Sequence, residues 1–231
     1  MKKWLFSGFF IALLLVFLTS LTGINMSWKI YKHQMLYYQK GIPGWCSAEK
    51  AEKMADLIYE TRPRICVEIG VYAGSSAYPT AAALAFLGEG ILYAIDPWSN
   101  AECLKGYAAK DPNALWWDEE NLEAIYNQFN YMLMQKHLTV FCRALRSNSQ
   151  NASAFFQDES IDILHVDGNH SEEIALNDVK MFLPKLKKGG YLWFDDVDWA
   201  STNKAVAYVQ QFCRLDVERS IGNSCCLFQK N

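Results

Sequence analysis

The sequence lacks any long run of lysine or arginine: 22 basic and 25 acidic side chains nearly balance, for a formal net charge of −3. Without a basic footprint for phosphates, nucleic acid is a poor substrate. Cysteine spacing that resembles a zinc site is also missing. The 7 cysteines cannot all pair within one chain, so reduced thiols are expected rather than a disulfide framework. Cys66, Cys142 and Cys225 lie in apolar runs, where a thiol serves as a small hydrophobe. Internal repeats are missing too, which leaves one compact domain plus an N-terminal extra as the default for 231 residues.

Charge is absent from one long stretch, Trp4 to Trp28, which is flanked by Lys2 and Lys3 before it and Lys29 and Lys32 after it. At about 1.5 Å per residue, a hydrophobic helix of that length crosses a bilayer core of about 30 Å. An uncleaved membrane anchor over residues 1–29 is the leading expectation. The rival is a cleaved signal peptide with secretion, whose weakness is the loose cleavage site Ser20-Leu21-Thr22-Gly23. Lys29, Lys32 and Lys40 favour a cytoplasmic C-terminal side. The aromatic and basic residues 30–46, closed by Gly41-Ile42-Pro43-Gly44, read as an interfacial linker.

From Ser47 onward the pattern is α/β, and 47–231 is expected to be one domain. Ala48, Ala51, Met54, Ala55, Leu57 and Ile58 recur at helical spacing until Arg62-Pro63 stops the run. Strand-like runs Ile65–Ile69, Ile91–Ile95, Leu138–Cys142, Ile161–Val166 and Tyr191–Phe194 then alternate with helical ones, Ser76–Leu87, Glu119–Met134 and Glu172–Leu186. Such alternation implies βαβ units and a doubly wound, mostly parallel sheet covered on both faces. Leu215–Ile221 and Ser224–Phe228, joined by Gly222-Asn223, predict an antiparallel terminal pair.

In sheets of this kind ligands bind beyond the carboxyl ends of the strands, so the residues that follow each strand carry the chemistry. After the first strand comes Glu68-Ile69-Gly70-Val71-Tyr72-Ala73-Gly74-Ser75-Ser76. The dinucleotide fingerprint is absent, since the glycines follow Gly-x-x-x-Gly behind an acid. Glu68 would repel a pyrophosphate but accept from the cationic amino end of S-adenosylmethionine, while Ser75 and Ser76 offer a helix N-terminus to its carboxylate. Gly70 and Gly74 let the backbone approach a ligand closely. Asp96, at the second strand end, is placed for ribose hydroxyls. Trp98 either flanks the adenine or covers the sheet, and Ser147, after the third strand, is a candidate adenine contact. Asp167, Asp195 and Asp196 end two strands that, as neighbours, lie about 4.8 Å apart. Three carboxylates there suit Mg²⁺ or another hard cation, or else cap turns at the rim. His170, in the loop beside them, is a candidate base.

Together Glu68-Ile69-Gly70 with Gly74-Ser75-Ser76, Ile95-Asp96-Pro97-Trp98, Val166-Asp167-Gly168-Asn169-His170 and Gly189-Gly190-Tyr191-Leu192-Trp193-Phe194-Asp195-Asp196 resemble the class I S-adenosylmethionine-dependent methyltransferases, notably the cephalosporin hydroxylase-like and macrolide-sugar O-methyltransferase-like proteins. The resemblance implies a Rossmann-like seven-stranded sheet with a reversed last strand. It also implies S-adenosylmethionine at the Glu68, Gly70 and Asp96 positions and, in some members, Mg²⁺ at the three Asp positions. Transfer to a hydroxyl of a small-molecule acceptor such as a sugar follows; Asp167 and His170 are the candidate catalytic residues, His170 as a substitute for the family's base and not an inheritance from it. One departure stands out: metal-using sugar O-methyltransferases of this type carry a second acid, a candidate base, where this chain has Asn169. The segment Ser99–Trp117 looks like an inserted lid. The alternatives are a nicotinamide-dependent oxidoreductase on the same sheet and a membrane-tethered, non-catalytic nucleoside-binding protein; assembly as a homo-oligomer is left open.

Overall fold

The computed structural model describes residues 26–108 and 110–231, so nearly all of the expected anchor lies outside the described residues. Among the described residues no helix is long and apolar enough to cross a membrane. Residues expected to be a linker begin as a packed helix, α1 (Trp28–Gln39). Its Trp28 stacks on Tyr59 at 4.7 Å and meets Phe86 at 5.1 Å. Helix α2 (Ala48–Thr61) starts where the Ser47 hydroxyl accepts from the Lys50 amide, and it ends at Arg62, in a left-handed conformation ahead of Pro63.

The domain then alternates as expected: β1 (Ile65–Ile69), α3 (Ala77–Leu87), β2 (Ile91–Asp96), α4 (Asn100–Cys103), α5 (Pro112–Glu119), α6 (Leu122–Gln135), β3 (Cys142–Arg146), α7 (Ser149–Ser153), β4 (Ile161–Val166), α8 (Glu172–Phe182), β5 (Leu186–Phe194), α9 (Asn203–Val209), β6 (Cys213–Ile221) and β7 (Cys225–Lys230). The strands form one seven-stranded sheet in the order β3-β2-β1-β4-β5-β7-β6. β1 to β5 run parallel, and β7 lies antiparallel between β5 and β6.

Alternate residues of the buried strands feed two cores. Cys66, Leu92, Ile163 and Trp193 face α1, α2, α3 and α6, whereas Val67, Ile95, Leu164 and Phe194 face α7, α8 and α9. Two strand expectations shift. The run Leu138–Cys142 is mostly a turn that plugs Leu138 into the core, and β3 begins only at Cys142. As the edge strand, β3 carries exposed Arg143 and Arg146 and so shows little apolar signal. β5 starts five residues before Tyr191, with Gly189-Gly190 inside it, where the register against β4 slips.

Candidate active site

Strand order reverses between β1 and β4, whose crossovers leave on opposite faces of the sheet, and a cleft opens at their carboxyl ends. Gly70 turns the chain out of β1 at φ 84°, and a Cβ there would lie 1.9 Å from the Asp167 carbonyl oxygen. Only glycine lets the ends of β1 and β4 close to this distance. The reason for Gly74 is different: its added Cβ would strike the Phe129 ring at 2.5 Å, so it serves core packing and does not border the cleft. Ser75 and Ser76 border it at the start of α3.

Glu68 is 0% exposed and sits behind Ser76, whose hydroxyl donates to Glu68 Oε1 at 2.5 Å. The acid therefore reaches the cleft only through this serine. Spending the Ser76 hydrogen on Glu68 leaves the serine oxygen free to accept from a cation in the cleft. Asp96 also borders the cleft. Its Oδ2 accepts from the amides of Val71 (2.9 Å) and Tyr72 (3.0 Å), and its Oδ1 from that of Trp98 (2.7 Å). Burial lifts its pKa above the ordinary carboxylate value while these three amides pull it down. One side chain thus ties together the turns after β1 and β2, where Tyr72 and Trp98 adopt positive φ at 50° and 41°. Of its two expected roles, Trp98 fills the structural one: it is buried, donates from Nε1 to the Tyr72 carbonyl, and stacks on Phe129 at 5.6 Å.

Ser147 lines the far end of the cleft with Asn148, Ser149 and Asp178. Sequence reasoning missed Asp178. It lies among Ala175, Val179 and Phe182 on the buried face of α8, with Ser149 Oγ donating to it and burial pushing its carboxyl up to about 7. An acid on an apolar helical stripe was the available signal.

The three metal-candidate aspartates do not converge. Consecutive residues leaving a strand point to opposite faces, and Asp195 and Asp196 follow that rule. Asp195 turns toward α2, where it pairs with Lys50 Nζ and lies 2.5 Å from His165 Nε2. Asp196, at φ 52°, turns to His170, with Oδ2 2.6 Å from Nε2. Asp167 stands between, 3.5 Å from Lys50 and 3.9 Å from His170. Neither Asp195 nor Asp196 borders the cleft, whereas Asp167 and His170 do.

Lys50 and His165 were also missed. Lys50 shares the stripe of Met54 and Ile58, and His165 interrupts an otherwise apolar strand beside its register partner Glu68. Desolvation works against the Lys50 charge, but Asp167 and Asp195 hold its pKa well above normal. Burial would raise Asp195, yet Lys50 and His165 keep it low; burial and the Asp195 charge push Asp167 up to about 7. For His170 the desolvation cost is outweighed by Asp196 and Asp167, which raise its pKa.

Asn169, the departure noted above, holds the inserted segment. Its Nδ2 donates to the carbonyls of Cys103 and Lys105, both at 2.9 Å, and its Oδ1 accepts from the Ser171 amide. The His170 amide donates to the Tyr107 hydroxyl at 2.9 Å. Two carbonyl partners need a donor, which a carboxylate is not. Above the mouth, Trp45 packs on Tyr72 at 5.3 Å and on Trp116 at 5.2 Å, and Trp116 meets Trp117 at 4.7 Å.

Residues 67–197 match the family model described as a methyltransferase domain. Two curated relatives are uncharacterized proteins: y4gI of Sinorhizobium fredii, 30% identical over 62% of this chain, and R132 of Acanthamoeba polyphaga mimivirus, 29% identical over 46%. The matches span only 14% and 51% of those proteins. Among solved structures, the fold is similar to Podospora anserina methyltransferase PaMTH1 bound to SAH, with TM-score 0.61, 11% identity, and 100% and 99% of the two chains covered. It is also similar to the O-methyltransferase NovP, with TM-score 0.61, 18% identity, and 81% and 83% covered. A third is the Bacillus cereus O-methyltransferase in complex with SAH, with TM-score 0.59, 11% identity, and 92% and 95% covered.

Proposed function

We propose that this chain, which belongs to the methyltransferase-domain family, transfers the methyl group of S-adenosylmethionine to a hydroxyl of a small acceptor such as a sugar. The observation that carries the reading is the joining, in one cleft, of the Gly70 bend, the α3 N-terminus and Asp96 with the imidazole of His170. The residues fit the cofactor. Gly70 lets the ends of β1 and β4 close together at the floor of the cleft, the Ser76 oxygen is free to accept from a cation there, and Asp96 keeps lone pairs beyond its three amide partners.

Bound there, S-adenosylmethionine supplies a methyl group already activated on sulfur, so the protein's task is alignment and proton removal. His170 takes the acceptor's proton at its imidazole, and Asp196 favours the charged ring that results. Trp199, 4.9 Å from that ring, limits how far it swings. The aromatic surface of Trp45, Trp116 and Trp117 suits the C–H faces of a sugar ring or an aromatic acceptor. Because Asn169 closes the inserted segment over the cleft, the departure at that position has a structural cause and does not favour a non-catalytic protein.

The donor set does not fit Mg²⁺ as the resemblance implies. Asp195 is engaged by Lys50 and His165, and the other clustered groups, Asp167, His170 and Asp196, include a nitrogen donor already paired with a carboxylate. No step is assigned to a metal.

Calorimetry on the purified full-length chain tests the reading. S-adenosylmethionine is expected to bind, with Asp96→Ala weakening it at least about tenfold, or 1.4 kcal/mol. No binding to the parent refutes it. With labelled cofactor and a cell extract, His170→Ala is expected to abolish transfer while binding persists.

A further inference from the structure

Lys50 is 5% exposed, although its Nζ belongs to a strongly hydrated cation. It enters from the first turn of α2, fixed by the Ser47 cap, and ends between the carboxylates that close β4 and β5. Asp167 Oδ2 lies 3.5 Å away, Asp195 Oδ2 is in direct contact, and His165 Nε2 backs Asp195 from the other side at 2.5 Å. Cys225 stands nearby as an uncharged thiol, burial pushing its pKa up. The cluster continues inward through His165 to Glu68, whose Oε2 lies 3.6 Å from His165 Nδ1.

Two carboxylates held this close to each other need a positive charge between them. A divalent ion meets that need in an oxygen-rich site, but a buried ammonium meets it equally in sign and occupies the same space. We infer that the Lys50 ammonium is the resident cation of the Asp167–Asp195 pair, standing where a divalent metal would, so that this cleft works without a bound metal. The ammonium is covalently tethered, so its place stays filled, and a metal gains entry only by displacing it from between the two carboxylates. Lys50 does not border the cleft and so acts through Asp167, whose carboxylate it orients toward the acceptor side; it is a positioning residue. Only the location of the acceptor is taken from the proposed function, and the test needs no methyl transfer.

Mn²⁺ binding to the full-length chain, read by electron paramagnetic resonance with and without S-adenosylhomocysteine, is the decisive measurement. The parent and Lys50→Arg are expected to bind no Mn²⁺ below about 1 mM, whereas Lys50→Ala, with Asp167 and Asp195 left without the ammonium between them, gains binding at least about tenfold tighter. That gain is expected to disappear in Lys50→Ala combined with Asp195→Asn. Parent binding tighter than about 1 mM overturns the inference, whether the ion is held by Asp195 or by the Asp167, His170 and Asp196 group, as Asp196→Asn would tell. Equal binding in parent and Lys50→Ala overturns it as well. If Lys50→Ala does not melt cooperatively, the parent and Lys50→Arg titrations decide alone. Absent cofactor binding with unchanged Mn²⁺ results would remove the proposed function and leave this inference standing.

Discussion

A buried acid records its surroundings in its proton affinity. Asp178 is held up to about 7, mainly by burial, with only Ser149 donating to it. Its folded pKa lies above the unfolded value of about 3.9, so its contribution is fully present below that pH and is lost as pH rises through about 7. Asp178→Asn keeps a neutral polar side chain at every pH. The stability of the parent relative to this variant is expected to fall between pH 4 and pH 8, by roughly 2–4 kcal/mol. Paired denaturant melts check it, and a difference that stays level with pH refutes the assignment. At this scale the sequence was half legible. Gly70, Asp96, Asp167 and His170 stand out because they follow strands, and all four border the cleft. Lys50 and Asp178 hide because each sits on a helical stripe that reads as apolar core, where one charge looks like noise rather than like half of a pair.

Elements decide which way those residues face. Asp195 and Asp196 are adjacent in sequence, yet strand alternation sends one to Lys50 and the other to His170. Counting acids at strand ends finds them without separating them. The inserted segment Ser99–Trp117 depends on partners distant in sequence, so its place over the cleft was visible only as an expectation of a lid. Asn169→Asp replaces a donor by an acceptor facing the carbonyls of Cys103 and Lys105. Losing those bonds costs about 1–2 kcal/mol locally. Amide exchange across Leu104 to Tyr107 is therefore expected to speed up about tenfold, with the core strands unchanged. Exchange no faster than in the parent would show that other contacts hold the segment.

For the molecule as a whole, the doubly wound sheet was legible because fully buried parallel strands print continuous apolar runs, and the Gly222-Asn223 turn marked the reversed end. Edge strand β3 was misplaced because its Arg143 and Arg146 are exposed and only Cys142 is buried. The N-terminal apolar stretch, proposed as an uncleaved anchor with the catalytic domain on the cytoplasmic side, suits a cofactor made in the cytosol. The full-length chain is expected to resist carbonate extraction from membranes, and a reporter fused after Asn231 to read as cytoplasmic. A released, shortened chain in the medium would instead mean a cleaved leader. Helix α1 runs along the domain to the edge of the cleft. Trp28 docks against Tyr59 and Phe86, near the C-terminal ends of α2 and α3, while the chain beyond the 12-residue helix leads to Gly44 and Trp45 at the rim of the cleft. Gln39, at the helix's far end, donates to the carbonyls of Cys46 and Ser75, so one helix pins both the underside of the domain and the threshold of the pocket.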